Sequence, residues 1–184
     1  VYGGWSLGPY AYPADGEEDL VFTEALLDRM AATYCIDTEQ VFATGHSWGG
    51  DMAQVASCFL GDRFRASVPV AANTPYWFEE SPGSWVTCPG DTSVWTMFGV
   101  ADDHFTGQSA PGEFGDECRD FWVNERDCDG VASYSELGPG DASEECVSYT
   151  GCSSEVRYCL YGPEFGHQIP SYYPTATMEF FRSF

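Results

Sequence analysis

Residues Thr44-Gly45-His46-Ser47-Trp48-Gly49-Gly50 form the most informative motif of the chain. It contains the pattern Gly-x-Ser-x-Gly, follows the short run Val41-Phe42-Ala43, and precedes a helix-like apolar segment at residues 51–60. A strand that turns through a serine directly into a helix is the context of a nucleophile elbow, with an ordinary glycine-rich turn as the alternative. Gly45 and Gly49 are expected there because a Cβ atom would clash in so tight a turn. The elbow would place Ser47 at the edge of a sheet, at the positive end of the following helix.

Helix and strand patterns alternate on both sides of this stretch. Residues 17–33 predict a helix whose Phe22, Leu26 and Met30 share a face that packs on a sheet. The other predicted elements are strands at 41–44, 66–71, 94–98, 147–149 and 156–160, helices at 49–60, 114–126 and 176–184, and loops at 73–93 and 129–146. This alternation predicts one α/β domain over residues 1–184, with a mostly parallel sheet flanked by helices.

The composition narrows the class of protein. The chain has 184 residues, 43% of them hydrophobic, which is enough for the core of one domain. Twenty-nine acidic residues face seven basic ones, all arginine, and the net charge is −22. Such a charge repels phosphate backbones and anionic lipids, so no nucleic-acid or membrane partner is expected. No apolar run reaches the length of a transmembrane helix.

The chain contains eight cysteines and only three histidines. The cysteines are Cys35, Cys58, Cys88, Cys118, Cys128, Cys146, Cys152 and Cys159. Because no Cys-x-x-Cys pair occurs, disulfide bonds in an oxidising compartment are favoured over zinc, and the sequence does not choose their connectivity. An EF-hand-like spacing of acids at 125–136 is expected to be a coincidence in so acidic a chain, so neither metal nor cofactor is predicted. Since the chain starts at Val1 without methionine, we expect a leader or a longer segment before it.

Three residues follow one another in the order that serine hydrolysis requires. A serine hydroxyl needs a base to take its proton, and that base needs a carboxylate to orient it. Ser47, Asp102 and His167 occur in the order nucleophile, acid, base that α/β-hydrolases use. Asp102 comes just after a predicted strand, with Asp103 as its rival, whereas His104 is too close in sequence to Asp102 to be its partner.

An oxyanion hole and a substrate pocket are expected around Ser47. The backbone N–H of Trp48 should be one oxyanion donor, because it belongs to the residue after the nucleophile. The second donor is not identified, and Tyr2-Gly3-Gly4-Trp5 is only a weak candidate. Substrate contacts are expected from Trp48, Trp77 and Trp85, and His46 is a further candidate that is more typical of a packing residue.

Several stretches resemble the secreted feruloyl esterases and the polyhydroxybutyrate depolymerase-like esterases. They are Trp5-Ser6-Leu7-Gly8-Pro9-Tyr10-Ala11, Glu18-Asp19-Leu20-Val21-Phe22-Thr23, Tyr34-Cys35-Ile36-Asp37-Thr38, residues 41–50, Gly151-Cys152, Val156-Arg157-Tyr158-Cys159 and Gly166-His167. The resemblance implies an α/β-hydrolase fold with Ser47, Asp102 and His167 as the catalytic triad. It also implies disulfides Cys35–Cys58 and Cys152–Cys159. The four remaining cysteines can pair in three ways, of which we take Cys88–Cys118 with Cys128–Cys146 as the working assumption.

The chain departs from that family in two ways. Family members carry several strands and an oxyanion loop before the point that matches Val1, so the chain resembles the C-terminal two-thirds of the domain without its N-terminal strands. Phe165-Gly166-His167 replaces the usual Gly-Gly-His, and Phe98-Gly99 replaces His-Gly, which alters the pocket wall.

The sequence therefore predicts a secreted serine esterase that acts on feruloyl or acetyl esters of plant polysaccharide. A polyhydroxyalkanoate depolymerase is the alternative within the enzyme class. A catalytically incomplete module that binds carbohydrate through Trp77 and Trp85 is the alternative outside it.

Overall fold

A six-stranded sheet with four helices forms the part of the chain that the computed structural model describes, namely residue 5 and residues 18–75, 88–103, 113–133, 145–162 and 166–184. The helices are α1 (Glu18–Thr33), α2 (Trp48–Phe59), α3 (Glu113–Glu125) and α4 (Tyr173–Phe181). The strands are β1 (Phe42–His46), β2 (Ala66–Val70), β3 (Ser93–Gly99), β4 (Gly130–Ser133), β5 (Glu145–Thr150) and β6 (Val156–Tyr161). No helix in these described ranges is long and apolar enough to cross a membrane.

The strand order is β1-β2-β3-β6-β5-β4. The ladders β1–β2, β2–β3 and β3–β6 are parallel, whereas β5 pairs antiparallel with both β6 and β4. The residues of β2 and β3 are all buried, as expected for central parallel strands covered on both faces. The predicted α/β class, with a mostly parallel sheet flanked by helices, is confirmed.

Successive side chains of the central strands enter two different layers of core. Trp95 and Met97 of β3 pack in one cluster with Phe180 and Phe181 of α4. Val94 and Phe98 pack in the other, against apolar side chains of α3 that include Phe121 and Trp122. This alternation follows from the two-residue period of a strand, and it places the sheet between α4 and α3.

The predicted packing face of α1 is wrong. Phe22, Leu26 and Met30 are 57%, 45% and 38% exposed, and α1 has no buried residue. Leu20 and Leu27, on another side of the helix, are the residues that pack against the cluster around Met52 and Val55 of α2. Helical spacing identified an apolar stripe correctly, but two apolar stripes were available and the neighbouring helix α2 selects the other one.

The loop predicted over residues 129–146 contains a strand. Residues Gly130–Ser133 form β4, which pairs in antiparallel register with Ser133 opposite Val147 and Gly130 opposite Thr150. The segment has four residues, among them a glycine and an alanine, so it carries little strand signal of its own. Its strand conformation depends on pairing with β5, which is a long-range contact.

All four predicted disulfide pairings are wrong. The structure pairs Cys58 with Cys88, Cys128 with Cys152 and Cys146 with Cys159, while Cys35 and Cys118 carry free thiols. The antiparallel register places Cys146 directly opposite Cys159, which makes that pair a cross-strand bridge. Cys128 meets Cys152 because the Asp129 N–H bonds the Thr150 carbonyl at the end of the β4–β5 ladder. Cys118 is fully buried and accepts a hydrogen bond from the Gln54 side chain, whereas Cys35 is exposed.

Candidate active site

Ser47 lies in a strained turn between β1 and α2. Its backbone has φ +56°, in the left-handed region that non-glycine residues seldom adopt. Two hydrogen bonds hold this conformation: the Ser47 N–H bonds the Val70 carbonyl at 3.0 Å, and the Asp51 N–H bonds the Ser47 carbonyl at 2.8 Å. The turn is therefore fixed by the neighbouring strand β2 and by the first turn of α2, as a nucleophile elbow requires.

The close approach of backbone in this turn explains two glycines, Gly45, which the sequence suggested, and Gly50, which it did not. A Cβ at Gly45 would lie 2.2 Å from the Gly49 carbonyl oxygen, which no side chain can tolerate. A Cβ at Gly50 would lie 2.8 Å from both the Ala72 Cβ and the Val70 carbonyl oxygen. A Cβ at Gly49 would meet nothing within 4 Å, so the expectation of a clash at Gly49 is wrong and the second required glycine is Gly50.

Three side chains from separate loops meet above the elbow. His167, between β6 and α4, has its Nε2 2.8 Å from the Ser47 Oγ. Its Nδ1 lies 3.0 Å and 3.2 Å from the two carboxylate oxygens of Asp102. The Asp102 side chain is 6% exposed and that of His167 17%, so the pair is shielded from water. Because the carboxylate accepts the Nδ1 proton, Nε2 is left as the acceptor for the serine proton.

Asp102, and not its neighbour Asp103, contacts the histidine. The Asp102 N–H donates to the Gly99 carbonyl at 3.0 Å, which forms a tight turn directly after β3 and directs the Asp102 side chain inward. Asp102 is buried and Asp103 is exposed. His104 lies outside the described residues.

Two residues beside Ser47 frame the site. Trp48 is 58% exposed, and as the first residue of α2 it has its N–H at the positive end of the helix. The His46 ring lies 4.7 Å from the His167 ring, centroid to centroid, and packs beside it. Trp77, Trp85 and residues 2–4 of the weak oxyanion candidate lie outside the described residues.

A buried carboxylate that the sequence interpretation passed over lies one turn after Ser47. Asp51 is 4% exposed and accepts hydrogen bonds from the backbone N–H of Asn73 at 2.7 Å and from the Asn73 side chain at 3.3 Å. Burial raises the pKa of the Asp51 carboxyl from 3.8 to about 6, although the Asn73 hydrogen bonds and the nearby His167 lower it. The available signal was an acid at the start of an otherwise apolar helix, which is equally typical of a residue that complements the helix dipole.

Comparison with known sequences identifies relatives among fungal esterases, although no family model matches the chain. A protein named probable feruloyl esterase C from Aspergillus niger is 29% identical over 169 residues, which cover 89% of this chain and 57% of that protein. Feruloyl esterase C from Emericella nidulans is 27% identical over 168 residues, again covering 89% of this chain and 57% of the relative. The chain thus spans less than two-thirds of the length of the curated relatives that it matches.

Comparison with solved structures extends the likeness to the fold. An acetyl xylan esterase from Aspergillus awamori superposes with a TM-score of 0.71, 14% identity, and coverage of 99% of this chain and 74% of the other. A carboxylesterase from Bacillus cereus gives a TM-score of 0.57 at 18% identity. The predicted resemblance to feruloyl esterases is confirmed by the sequence relatives, while the depolymerase resemblance stays a prediction. The chain is therefore similar to feruloyl esterases over most of its length, and its fold is that of the α/β-hydrolases.

Proposed function

We propose that the protein is a serine carboxylic-ester hydrolase whose triad is Ser47, His167 and Asp102. One observation carries this proposal: a continuous relay runs from the Ser47 Oγ to the His167 Nε2 at 2.8 Å, and from Nδ1 to the Asp102 carboxylate at 3.0 Å. These distances lie in the hydrogen-bonding range that proton transfer requires. The same three residues are supplied by three different loops, so chance packing of polar side chains is a poor explanation.

The proposed reaction has two halves. In the first, the Ser47 Oγ forms a bond to the ester carbonyl carbon while its proton passes to the His167 Nε2; the ester C–O bond then breaks and the leaving alcohol takes that proton. In the second, a water gives its proton to Nε2 and forms a bond to the acyl carbon; the bond from that carbon to Oγ then breaks, Oγ takes the proton back from Nε2, and the acid leaves. Asp102 holds the imidazole in the required tautomer throughout and stabilises its positive charge.

The oxyanion of each tetrahedral intermediate forms beside the start of α2. We assign one donor to the backbone N–H of Trp48, since that residue follows the nucleophile and begins the helix. The positive end of the helix dipole adds to the stabilisation of the oxyanion there.

The substrate class we propose is a feruloyl or acetyl ester on plant polysaccharide. The names of the sequence relatives and of the acetyl xylan esterase support it. The exposed indole of Trp48, next to the nucleophile, offers an apolar face on which a sugar or an aromatic acid can stack. The three disulfides support secretion, because such bonds persist in oxidising compartments.

Hydrolysis assays with a matched serine control test this proposal. Wild type, Ser47→Ala and Ser183→Ala are compared on methyl ferulate, acetylated xylan and a hydroxybutyrate oligomer; Ser183 is an exposed serine beyond α4. We expect wild type and Ser183→Ala to hydrolyse the first or second substrate equally, and Ser47→Ala to lose about 10³-fold or more of the rate. Activity confined to the hydroxybutyrate oligomer would instead identify a polyester depolymerase.

Labelling with a fluorophosphonate separates the enzyme from a binding module. A reactive Ser47 displaces fluoride and forms a stable Oγ–phosphorus bond, which adds a defined mass to the protein. Folded wild-type protein that takes no label and hydrolyses none of the three substrates would refute the esterase proposal and favour carbohydrate binding alone.

A further inference from the structure

The Asp51 carboxylate occupies a position that links the elbow to the loop after β2. It belongs to the first turn of α2, and its own N–H bonds the Ser47 carbonyl at 2.8 Å. The parallel register places His46, at the end of β1, opposite Val70, at the end of β2. Consequently the residues that follow these two strands, Ser47 to Asp51 and Ala71 to Asn73, leave the sheet side by side.

The hydrogen bonds of Asp51 fix that second loop. Its Oδ1 accepts the Asn73 N–H at 2.7 Å, and both oxygens lie 3.3 Å from the Asn73 Nδ2. The loop reaches this position through Ala71, whose φ of +49° is strained for a residue with a side chain. A charged acceptor that binds both the backbone and the side chain of Asn73 offsets this strain, and it holds the Val70 carbonyl against the Ser47 N–H.

Asp51 lies one helical turn after Ser47, whose Oγ is 2.8 Å from the His167 Nε2, and this brings its carboxylate within electrostatic range of the proposed base. Titratable groups from two other elements lie within its electrostatic reach: His167, from the loop before α4, and the Cys118 thiol of α3. Burial above all keeps the pKa of Cys118 well above its usual range, so this thiol stays neutral and His167 is the member of the pair that can gain a charge. In a water-poor site an anion near His167 attracts the positive charge that the imidazole gains when it takes the serine proton.

We propose that Asp51 is a positioning residue for the proposed esterase reaction: its carboxylate fixes the Asn73 loop beside the elbow and, as an anion, stabilises the positively charged His167. This inference rests on the proposed function, because it assigns Asp51 a role in the chemistry of Ser47. Asp51 interacts with His167 by long-range electrostatics and is not itself a catalytic residue.

The rate of fluorophosphonate labelling of Ser47 tests this inference without any choice of natural substrate. Asp51→Asn keeps an oxygen acceptor for Asn73 and removes the charge. Asp62→Asn is the matched control, since this exposed residue lies just past the other end of α2 and its loss changes the net charge equally. At pH 8 we expect Asp51→Asn to label about tenfold more slowly than wild type and Asp62→Asn to label at the wild-type rate.

The pH dependence distinguishes a charge effect from a structural one. As the pH falls through about 6, Asp51 itself becomes neutral, so the ratio of wild-type to Asp51→Asn rates should fall towards one. A ratio that stays constant from pH 5 to 8, or equal rates at pH 8, would overturn the inference while leaving the esterase proposal intact. Wild type that takes no label would defeat both.

A second variant keeps the test informative if Asp51→Asn does not fold. Asn73→Ala retains the carboxylate but removes the side-chain hydrogen bond that lowers its pKa. The labelling rate should then fall off at a higher pH than in the wild type, with the Asp62→Asn profile unchanged. An Asn73→Ala profile that coincides with the wild type would contradict the role of the Asp51–Asn73 contact.

Discussion

The burial of the Asp51 carboxylate predicts how the free energy of unfolding depends on pH. Burial raises its pKa from 3.8 to about 6 in the folded protein. Between these two values the folded chain binds more protons at Asp51 than the unfolded chain does, so the free energy of unfolding must fall as the pH rises through this window. The contribution of Asp51 is neutral well below pH 4 and fully unfavourable above about pH 6.

The size of the effect follows from the two pKa values. A rise from 3.8 to about 6 corresponds to about 3 kcal/mol at neutral pH. At pH 4 the unfolded carboxyl is already partly ionised, so the change between pH 4 and pH 8 is about 2.5 kcal/mol. Asp51 is 4% exposed, so screening by water reduces this value little.

Urea unfolding of wild type, Asp51→Asn and Asp62→Asn at several pH values between 4 and 8 measures this effect. We follow the difference in free energy of unfolding between variant and wild type as a function of pH. Any cost of the replacement that does not depend on pH then cancels. We expect that difference to shift by about 2.5 kcal/mol in favour of Asp51→Asn as the pH rises, and to stay flat for the exposed Asp62→Asn. A difference for Asp51→Asn that does not change with pH would contradict the prediction, because it would mean that the Asp51 carboxyl titrates alike in the folded and unfolded chains.

Two further predictions concern the elbow and the Cys58–Cys88 disulfide, which is attached to α2. Gly45→Ala should destabilise the protein by about 3 kcal/mol or more, because its Cβ would overlap the Gly49 carbonyl. Gly49→Ala should be neutral or stabilise α2 by up to about 1 kcal/mol. Urea unfolding of both variants measures these changes, and equal losses of stability would contradict the geometry of the elbow. Replacing Cys58 and Cys88 together by serine opens a loop with a sequence separation of 30 and should cost about 3 to 4 kcal/mol. The midpoint of thermal unfolding, compared with that of the oxidised wild type, measures this cost, and an unchanged midpoint would contradict it.

Features encoded by neighbouring residues were predictable from the sequence. The elbow, its flanking strand and helix, and the bounds of β3 and β6 all follow from short apolar runs and turn residues. The order of Ser47, Asp102 and His167 was also visible, because each candidate follows a recognisable strand. The choice between Asp102 and Asp103 was not, since it depends on one hydrogen bond of the turn after β3, from the Asp102 N–H to the Gly99 carbonyl.

Features set by strand register were beyond the sequence. The bridge between Cys146 and Cys159 requires knowledge of which residues of β5 and β6 face each other. The contact between Asp51 and Asn73 likewise depends on the alignment of β1 with β2, which brings together residues that are 22 positions apart. A shift of β5 by one residue relative to β6 would turn the side chains of β5 to the opposite face of the sheet.

The chemistry of the Asp51 site argues for function over packing. A neutral asparagine at this position would offer an oxygen to the Asn73 N–H without burying a charge, and it would lose only the second acceptor of the Asn73 Nδ2 at 3.3 Å. The charge costs about 3 kcal/mol of stability at neutral pH, which is a large share of what a domain of this size possesses. Its electrostatic interaction with His167 offsets that cost in the one state where the imidazole is positive, the state that follows transfer of the serine proton. Asp51 and Asp102 would then act on His167 in different ways, Asp102 orienting the ring by direct contact and Asp51 adding a charge at longer range. The esterase should work best above about pH 6, where Asp51 is an anion.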